Sequence, residues 1–385
     1  MTITVIDKNK PLSDIDSLKP ISVPEALDLG NGVVKVKGII TSKSEIYRSP
    51  YGRNAKCMNK DCKQKLIELP LSRLGETNTK SWQHNVTCRQ CNSRVWSVPY
   101  YAKHITISII SNRPGKSTDC LRVKLVGELI NDICLGKIAT VTGYMYTIKK
   151  NNFTILQADS IEICDSYNDI VDIKEKLINT KSLDQYNHAI FNNLANSVLP
   201  GIVGLNPLKK ALLLCLANSN NRSTNSECFD DRIHILLMGS QREISVLLRY
   251  LSDLSDGIFV DGNTIDNALT VEVLMQDKRK ILNCGYVVLA SGGILSIDHI
   301  EKLKKRDIGY LQHTIKFGYM DVKFHGFEEN IQTNPSLIVS INNDDKVQNS
   351  KLLQELSQIF DVVYEFKAPE GIPIQDLSNG SDRMN

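Results

Sequence analysis

IHILLMGSQREISVLLRY, from Ile233 to Tyr250, is the stretch on which the reading of this chain turns. Four of the five residues Ile233–Leu237 are apolar and Gly239 follows at once, which predicts a buried strand that stops at a loop. Ile244, Val246, Leu247, Leu248 and Tyr250 then suggest a helix. Strand, glycine-opened loop and helix is the frame of a phosphate-binding loop. A working loop of that kind needs a second glycine, so that backbone N–H groups wrap phosphate, and a lysine that reaches the outer phosphates. Before the helix this sequence offers Gln241, Arg242, Glu243 and Ile244 instead. The frame is present without its working parts.

Outward from that stretch, 385 residues predict two or three domains with a large core. No apolar run approaches the ~18 residues that span a bilayer, and MTITVIDKNKPLSDID lacks the pattern of a secretory signal. A cytoplasmic protein is expected, nuclear if eukaryotic, with no membrane partner. The net charge of +3 is unevenly placed: Val33 to Glu162 carries 21 Lys and Arg against 9 Asp and Glu, while Ile163 to Asn385 carries 22 against 29. A basic half joined to a mildly acidic one points to a polyanion meeting the first half.

Four of the ten cysteines form two close pairs, Cys57-x4-Cys62 and Cys88-x2-Cys91, separated by 25 residues. Two such knuckles place four thiolates tetrahedrally around one Zn²⁺, and Val86, Val95, Trp96 and Pro99 suit a small ribbon. His84 and His104 are the substitute ligands to weigh, each more simply a surface or packing histidine. Four thiolates leave no open position, so the metal is expected to be structural.

Around the cysteines the pattern is strand-rich. Val33–Tyr47 alternates apolar and polar residues, with Gly38 suggesting a bulge or bend, and Pro24–Leu29 reads as a short helix ended by Gly30. Strands follow at His104–Ile110, Leu121–Leu129, Lys137–Ile148 and Phe153–Ile163, with a Pro-Gly turn at Ser111–Asp119. Five strands with an inserted ribbon fit a Greek-key OB barrel, a nucleic-acid-binding scaffold. Arg113, Lys116, Arg122 and Lys124 are the candidate DNA contacts, and Tyr100, Tyr101, Tyr144 and Tyr146 are candidates to stack bases.

From Ile202 on, helices and strands alternate. Leu183–Leu194 and Leu205–Asn218 read as helices, and Gly285–Leu303 as two strands split by Ser291-Gly292-Gly293. The second of these ends at Asp298, where a nucleotide-bound Mg²⁺ would take a ligand, with His299 next. A helix at Ile308–Ile315, a hairpin around Asp321–Phe327, a strand at Ser336–Asn343, a helix at Lys351–Ile359 and a strand at Val362–Phe366 complete a parallel sheet flanked by helices.

Seven pieces in order resemble the minichromosome-maintenance (MCM) replicative helicases. They are VVKVKGIITSKSE from Val33, the four-cysteine ribbon, LRVKLVGELINDICLGKIATVTG from Leu121, GIVGLNPLKKALLLCL from Gly201, RIHILLMG…LLRY, GYVVLASGGILSIDHIEKL and SLIVSINN. The resemblance places Ile244 where the family's ATP-binding lysine stands and Ser245 at the Mg²⁺-binding hydroxyl, with the loop one residue short. It turns the Walker B acidic pair into Asp298 and His299, keeps the sensor asparagine as Asn342, and finds no arginine in LSQIFD, Leu356–Asp361, where the arginine finger belongs. Gly239, Ser245, Asp298 and Asn342 are thus a vestigial nucleotide site. The 19 residues after Phe366 are too few for the family's helical lid, so a truncated member without the lid, the N-terminal helical subdomain or the winged helix is expected.

The resulting expectation is a multi-domain chain: an N-terminal segment (1–32), an all-β OB barrel (33–165) with an inserted zinc ribbon (about 55–98), a linker (166–190), and a degenerate α/β AAA+-like P-loop domain (191–385). Losing a preorganised cation at the phosphates costs ~3–4 kcal/mol of transition-state stabilisation, and an arginine finger is worth ~10³–10⁵ in rate. No catalytic residue is therefore expected, although nucleotide binding without hydrolysis stays open. The expected function is a DNA-binding, non-catalytic accessory or regulatory factor in replication or repair, with Zn²⁺ and single- or double-stranded DNA as ligands. MCM subunits or other replication proteins are the implied partners, in an oligomer. The alternatives are a subunit of an ATP-dependent helicase ring and a protein-interaction scaffold that does not bind DNA.

Overall fold

The computed structural model describes residues 18–59, 61–62, 67–70, 88, 91, 93, 95–110, 119–131, 133–148, 153–164, 184–200, 204–219, 232–239, 241–255, 257–265, 269–276, 278–324, 326–342 and 349–366. Two compact units divide the chain: Met1–Asn112, Thr118–Ile163 and Leu274–Leu282 form one, and Arg113–Ser117, Cys164–Val273 and Asn283–Asn385 the other. Arg113, Lys116, His84, Val86 and most of the expected linker lie outside the described residues.

In the first unit, five long strands close on themselves. Numbering strands in chain order, they are β1 (Gly32–Ser44), β4 (Val95–Ile110), β5 (Leu121–Val126), β6 (Ile138–Ile148) and β7 (Phe153–Cys164). Around the ring they run β1-β6-β7-β5-β4, and β4 returns to pair with β1. Taken as first to fifth, the order is 1-4-5-3-2-1, with the third and fifth strands parallel. Strict alternation drives the closure: Val34, Val36, Ile40, Ile105, Ile107, Ile109, Leu121, Val123 and Leu125 point inward and are buried, while Arg122 and Lys124 lie on the other face of β5.

Gly38 is not a bulge. It stays in unbroken register with Ala139, and the register shift of β1 against β4 falls between Ile40 and Ser42. Glycine is needed at 38 because a Cβ there would sit 2.6 Å from the Ile110 carbonyl oxygen. The strand expected over Leu121–Leu129 stops at Val126, where Gly127 at φ +66° opens a 3-10 turn. The short helix α1 (Val23–Leu29) forms as read, started by a capping box between Ser22 and Glu25.

β2 (Tyr47–Cys57) extends the sheet beyond the ring, pairing along β4 from Tyr47↔His104 to Cys57↔Val95, with β3 (Ile67–Pro70) outside it. On the opposite edge lies a hairpin, β10 (Glu272–Gln276) and β11 (Arg279–Asn283), whose second strand joins β1. Glu45 N–H donates to the Lys280 carbonyl at 3.0 Å.

The second unit is built on a parallel sheet in the order β16-β8-β15-β12-β9. Its members are β8 (Ile235–Gly239), β9 (Ile258–Asp261), β12 (Ile294–Asp298), β15 (Ser336–Ile341) and β16 (Val362–Phe366). β12 and β15 are buried along their whole length, as strands covered on both faces must be. The apolar core gathers Leu208 and Leu212 of α3 (Asn206–Ser219), Ile235 and Leu237 of β8, Ile244, Leu247, Leu248 and Leu251 of α4 (Gln241–Leu254), Ile338 and Phe366. A further helix, α2 (Asp184–Val198), packs against α3.

One expectation fails here. Tyr286–Leu289 forms a single helical turn, α5, and not a strand, and Val287, Val288 and Leu289 are buried. A short apolar run does not separate a strand from a buried helical turn by periodicity. α6 (Lys305–Phe317), the hairpin β13–β14 (Tyr319–Phe324 and Phe327–Gln332) and α7 (Asn349–Ser357) complete the unit.

His234, just ahead of β8, makes the unit sensitive to acid. Its Nδ1 accepts the Leu337 N–H at 3.2 Å, and its own N–H donates to Asp361 at 2.7 Å. Burial lowers the imidazole to about 4, against the opposing pull of Asp361. In the unfolded chain the same group titrates near ~6.5. Between those values the unfolded state binds a proton that the native state refuses, so stability is complete above the upper value and falls with pH toward the lower one. The expected loss approaches ~3 kcal/mol at about pH 4. Urea unfolding of wild type and His234→Asn across that window checks it: the variant's profile is expected to be the flatter of the two, and parallel profiles would remove His234 as the cause.

Candidate functional site

The four clustered cysteines are brought together in the first unit. β2 delivers Cys57 opposite Val95 at the start of β4. Cys62 follows a turn in which its N–H donates to the Asn59 carbonyl at 3.3 Å and the Asp61 N–H to Asn59 Oδ1 at 3.0 Å. The Cys88 N–H donates to the Ser93 carbonyl at 2.9 Å, closing the second knuckle around Cys91. All four sulfurs lie within 4.8 Å of one another, with Cys57–Cys91 at 3.4 Å and Cys62–Cys88 at 3.7 Å. Disulfides need ~2.05 Å, whereas four thiolates at ~2.3 Å from a tetrahedral zinc stand about 3.8 Å apart.

The protons on this cluster are unevenly held. Hydrogen bonds from Ser93 lower Cys91 to about 6. At Cys57 the Asn59 backbone pulls the same way, yet burial and the thiols of Cys91, Cys88 and Cys62 push it up to about 12. Packed sulfurs cannot all ionise without a cation between them, and a metal with thiolate ligands removes that conflict. His104 is no substitute ligand: it is fully buried and stacks on Tyr47 at 5.6 Å.

In the second unit the strand-loop-helix forms, but the loop has almost no length. A single residue, Ser240, separates Gly239 at the end of β8 from Gln241 at the start of α4. Gln241, Arg242, Glu243 and Ile244 are therefore the first turn of the helix and not the loop before it. Gly239 sits at φ +147°, and a Cβ there would lie 2.3 Å from the Phe366 carbonyl oxygen, so close passage of β16 by itself demands glycine. Ile244 is fully buried among the core side chains.

Behind that helix the polar residues bond to one another. Asp298, at the end of β12 and 2% exposed, accepts the hydroxyl of Ser245 on one carboxylate oxygen and that of Ser340 on the other. The His299 N–H donates to Ser340 Oγ at 2.9 Å. His299 adopts the left-handed conformation, φ +55°, with Nε2 3.7 Å from Asp298 and Nδ1 3.5 Å from Glu301. The Asn342 N–H reaches Glu301 Oε2 at 3.4 Å. Ser245, Asp298 and Asn342 thus do converge at one end of the sheet, and Gly239 belongs to the strand that lines it.

Comparison with known proteins bears on this unit. The family model for the MCM P-loop domain matches residues 178–366. The match covers 189 of the 385 residues, just under half of the chain. It is 23% identical over 243 residues to DNA replication licensing factor MCM7 of Arabidopsis thaliana, covering 58% of this chain and 33% of that protein. It is 22% identical over 386 residues to the minichromosome maintenance protein MCM of Saccharolobus solfataricus, covering 91% of this chain and 55% of that one. Licensing factor mcm4 of Schizosaccharomyces pombe is 26% identical over 191 residues, 46% of this chain and 21% of its own length. The chain spans about a third to a half of the first of these relatives.

The remaining described candidates are in the first unit. Arg122 lies with its guanidinium 4.9 Å from the Phe153 ring, and burial together with Arg279 lowers the Lys124 amine. Tyr144 and Tyr146 are buried at 5% and 6% exposure, so they pack and do not stack bases, whereas Tyr101 is 59% exposed. Sequence reasoning missed Arg279, because the hairpin that carries it was not recognised. Its signal is two strand-prone runs, EVLMQ and RKILN, around Asp277 and Lys278.

Proposed function

We propose that this chain is a DNA-binding, non-catalytic member of the MCM family, an accessory or regulatory factor in DNA replication or repair. The observation that carries the reading is Ile244. At the place where the resemblance puts the phosphate-gripping lysine, an isoleucine is buried in the core and the loop before it has almost no length. Asp298, the residue for a nucleotide-bound Mg²⁺, has both oxygens engaged by serine hydroxyls. A P-loop that cannot cradle phosphate leaves the α/β unit as a degenerate AAA+-like docking module for MCM subunits or other replication proteins.

The first unit is then an OB barrel with a zinc ribbon. Its ring order and the parallel β5–β7 pair support the barrel, and the four-sulfur cluster supports a structural Zn²⁺ held by Cys57, Cys62, Cys88 and Cys91. When bound, the metal supplies cross-linking and no reactive position. Arg122 and Lys124, with Arg113 and Lys116, supply phosphate contacts. Such a protein works in the cytoplasm, or in the nucleus of a eukaryote.

Salt dependence tests the reading. Four phosphate contacts predict that the logarithm of affinity falls with the logarithm of salt at a slope of about −3 to −4. Affinity that does not change between about 50 and 200 mM salt would contradict DNA binding through these cations.

A further inference from the structure

The four clustered cysteines have a second chemistry besides holding a metal. Cys57 and Cys88 are buried, at 8% and 0% exposure, whereas Cys62 and Cys91 are half-buried. Each half-buried sulfur has a buried one beside it in the other knuckle. Cys91 stands 3.4 Å from Cys57, and Cys62 stands 3.7 Å from Cys88. An oxidant from solvent therefore meets Cys91 and Cys62 first. A sulfenic acid formed at either has a sheltered thiol in reach, the arrangement of a reactive cysteine beside its resolving partner.

Four cysteines allow three pairings. Joining Cys57 to Cys91 and Cys62 to Cys88 nests one link inside the other, across 34 and 26 positions of sequence. Both ends of the segment then stay tied, as a tetrahedral metal ties them. Closing each knuckle on itself, Cys57 to Cys62 and Cys88 to Cys91, would leave the two knuckles unlinked. The third pairing, Cys57 to Cys88 and Cys62 to Cys91, gives the half-buried sulfurs no sheltered partner. The backbone itself brings the ends together: Cys57 lies opposite Val95 on β4, and the Cys88 N–H donates to the Ser93 carbonyl at 2.9 Å. Each nested pair has less than about 2 Å to close before it reaches the ~2.05 Å of a disulfide.

We propose that Cys57, Cys62, Cys88 and Cys91 form a reversible oxidation site whose product is two nested disulfides, Cys57–Cys91 and Cys62–Cys88. A peroxide is the oxidant, and the segment stays tied when its metal leaves. The Cys91 thiolate attacks one peroxide oxygen, the O–O bond breaks, and hydroxide departs as water with a proton from solvent. The Cys57 sulfur then attacks the Cys91 sulfenic acid. The S–S bond forms, the S–O bond breaks, and a second water is released. Each disulfide gives up two electrons and reduces one peroxide, and Cys62 with Cys88 repeats the sequence. Disulfide sulfurs carry no charge with which to hold Zn²⁺, so the ion is released, and a dithiol reductant reverses the change. In a reducing compartment such a disulfide is transient and reports oxidant. The assignment rests on the structural-zinc reading above and adds to it the chemistry of the ligands once the metal is gone.

Titration of the full chain with hydrogen peroxide tests it, after purification with zinc under reducing conditions. A chromogenic chelator reads the zinc released, and mass spectrometry of the alkylated, unreduced digest reads the pairs. Both nested disulfides are expected, and dithiothreitol with added Zn²⁺ should restore the metal. Cys120 and Cys134 are exposed and compete as thiols. The double variant Cys120→Ser, Cys134→Ser should therefore give the same pairs, with about one Zn²⁺ released for every two peroxides consumed. Oxidised chain should resist protease between Cys57 and Cys91 much as the zinc-loaded chain does, and better than reduced chain stripped of metal. Disulfides within a knuckle, sulfinic acid without disulfides, or zinc retained while Cys120 and Cys134 oxidise would each overturn the proposal. A zinc-loaded chain that forms no nested disulfide would leave the zinc reading standing. Nested disulfides in a chain that purifies without zinc would do the reverse, upholding the pairing and overturning the zinc.

Discussion

Replacing Ile244 by lysine is expected to destabilise the chain by at least about 3 kcal/mol and to bring no nucleotide with it. The position is fully buried, and its neighbours Leu247, Leu248, Leu251, Ile338 and Phe366 offer an ammonium neither water nor a carboxylate. A buried lysine either loses its proton or forces the helix outward, and in neither case does its charge reach a phosphate. Ile244→Val, which removes one methyl group in the same place, should cost about 0.5–1.5 kcal/mol. The contrast separates a site that has lost a side chain from one whose geometry has closed. Thermal unfolding of the two variants beside wild type, repeated with Mg²⁺ and ATP, measures both. A lysine variant as stable as wild type that is further stabilised by ATP would show that the loop can still open.

The second large effect concerns the cysteines. One Zn²⁺ per chain is expected by elemental analysis, and Cys88→Ser is expected to lose it. Structural zinc contributes about 10–16 kcal/mol of apparent binding free energy in small zinc domains at neutral pH, so its removal should unfold the two knuckles. Loss of a ligand should weaken binding beyond the ~10–100-fold that loss of a mere supporting group costs. Ring strands such as β1 and β6 have an apolar core of their own, so the loss should be local. Protease cleavage between Cys57 and Cys91 should rise sharply while the far-ultraviolet strand signal persists. A metal-free protein with unchanged protease resistance would show that the cluster is held by packing alone.

What could be read from the sequence depended on how local the physics was. The ring strands β1 and β5 alternate so regularly that their faces follow from the residues themselves. The four-cysteine cluster was equally legible, because the spacing of the two pairs points to it without reference to the rest of the fold. Gly239 was legible only as a glycine: that it yields to the Phe366 carbonyl depends on a strand 127 positions later. Ile244 was read both as a position before the helix and as its first apolar residue, since nothing in QREI says where the helix starts; it lies in the first turn. Tyr286–Leu289 was misread because four apolar residues satisfy a strand and a buried helical turn alike. Arg279 escaped because its meaning lies in a pairing with Tyr47 across more than two hundred residues.

The central claim is that the strand and helix of the former nucleotide site persist because the core needs them, while the grip on phosphate is gone. ATP hydrolysis by the purified full chain, with and without DNA, tests that claim most directly. The account predicts no turnover above the protein-free rate under either condition. Turnover that appears with the wild type and disappears on Asp298→Ala would contradict it.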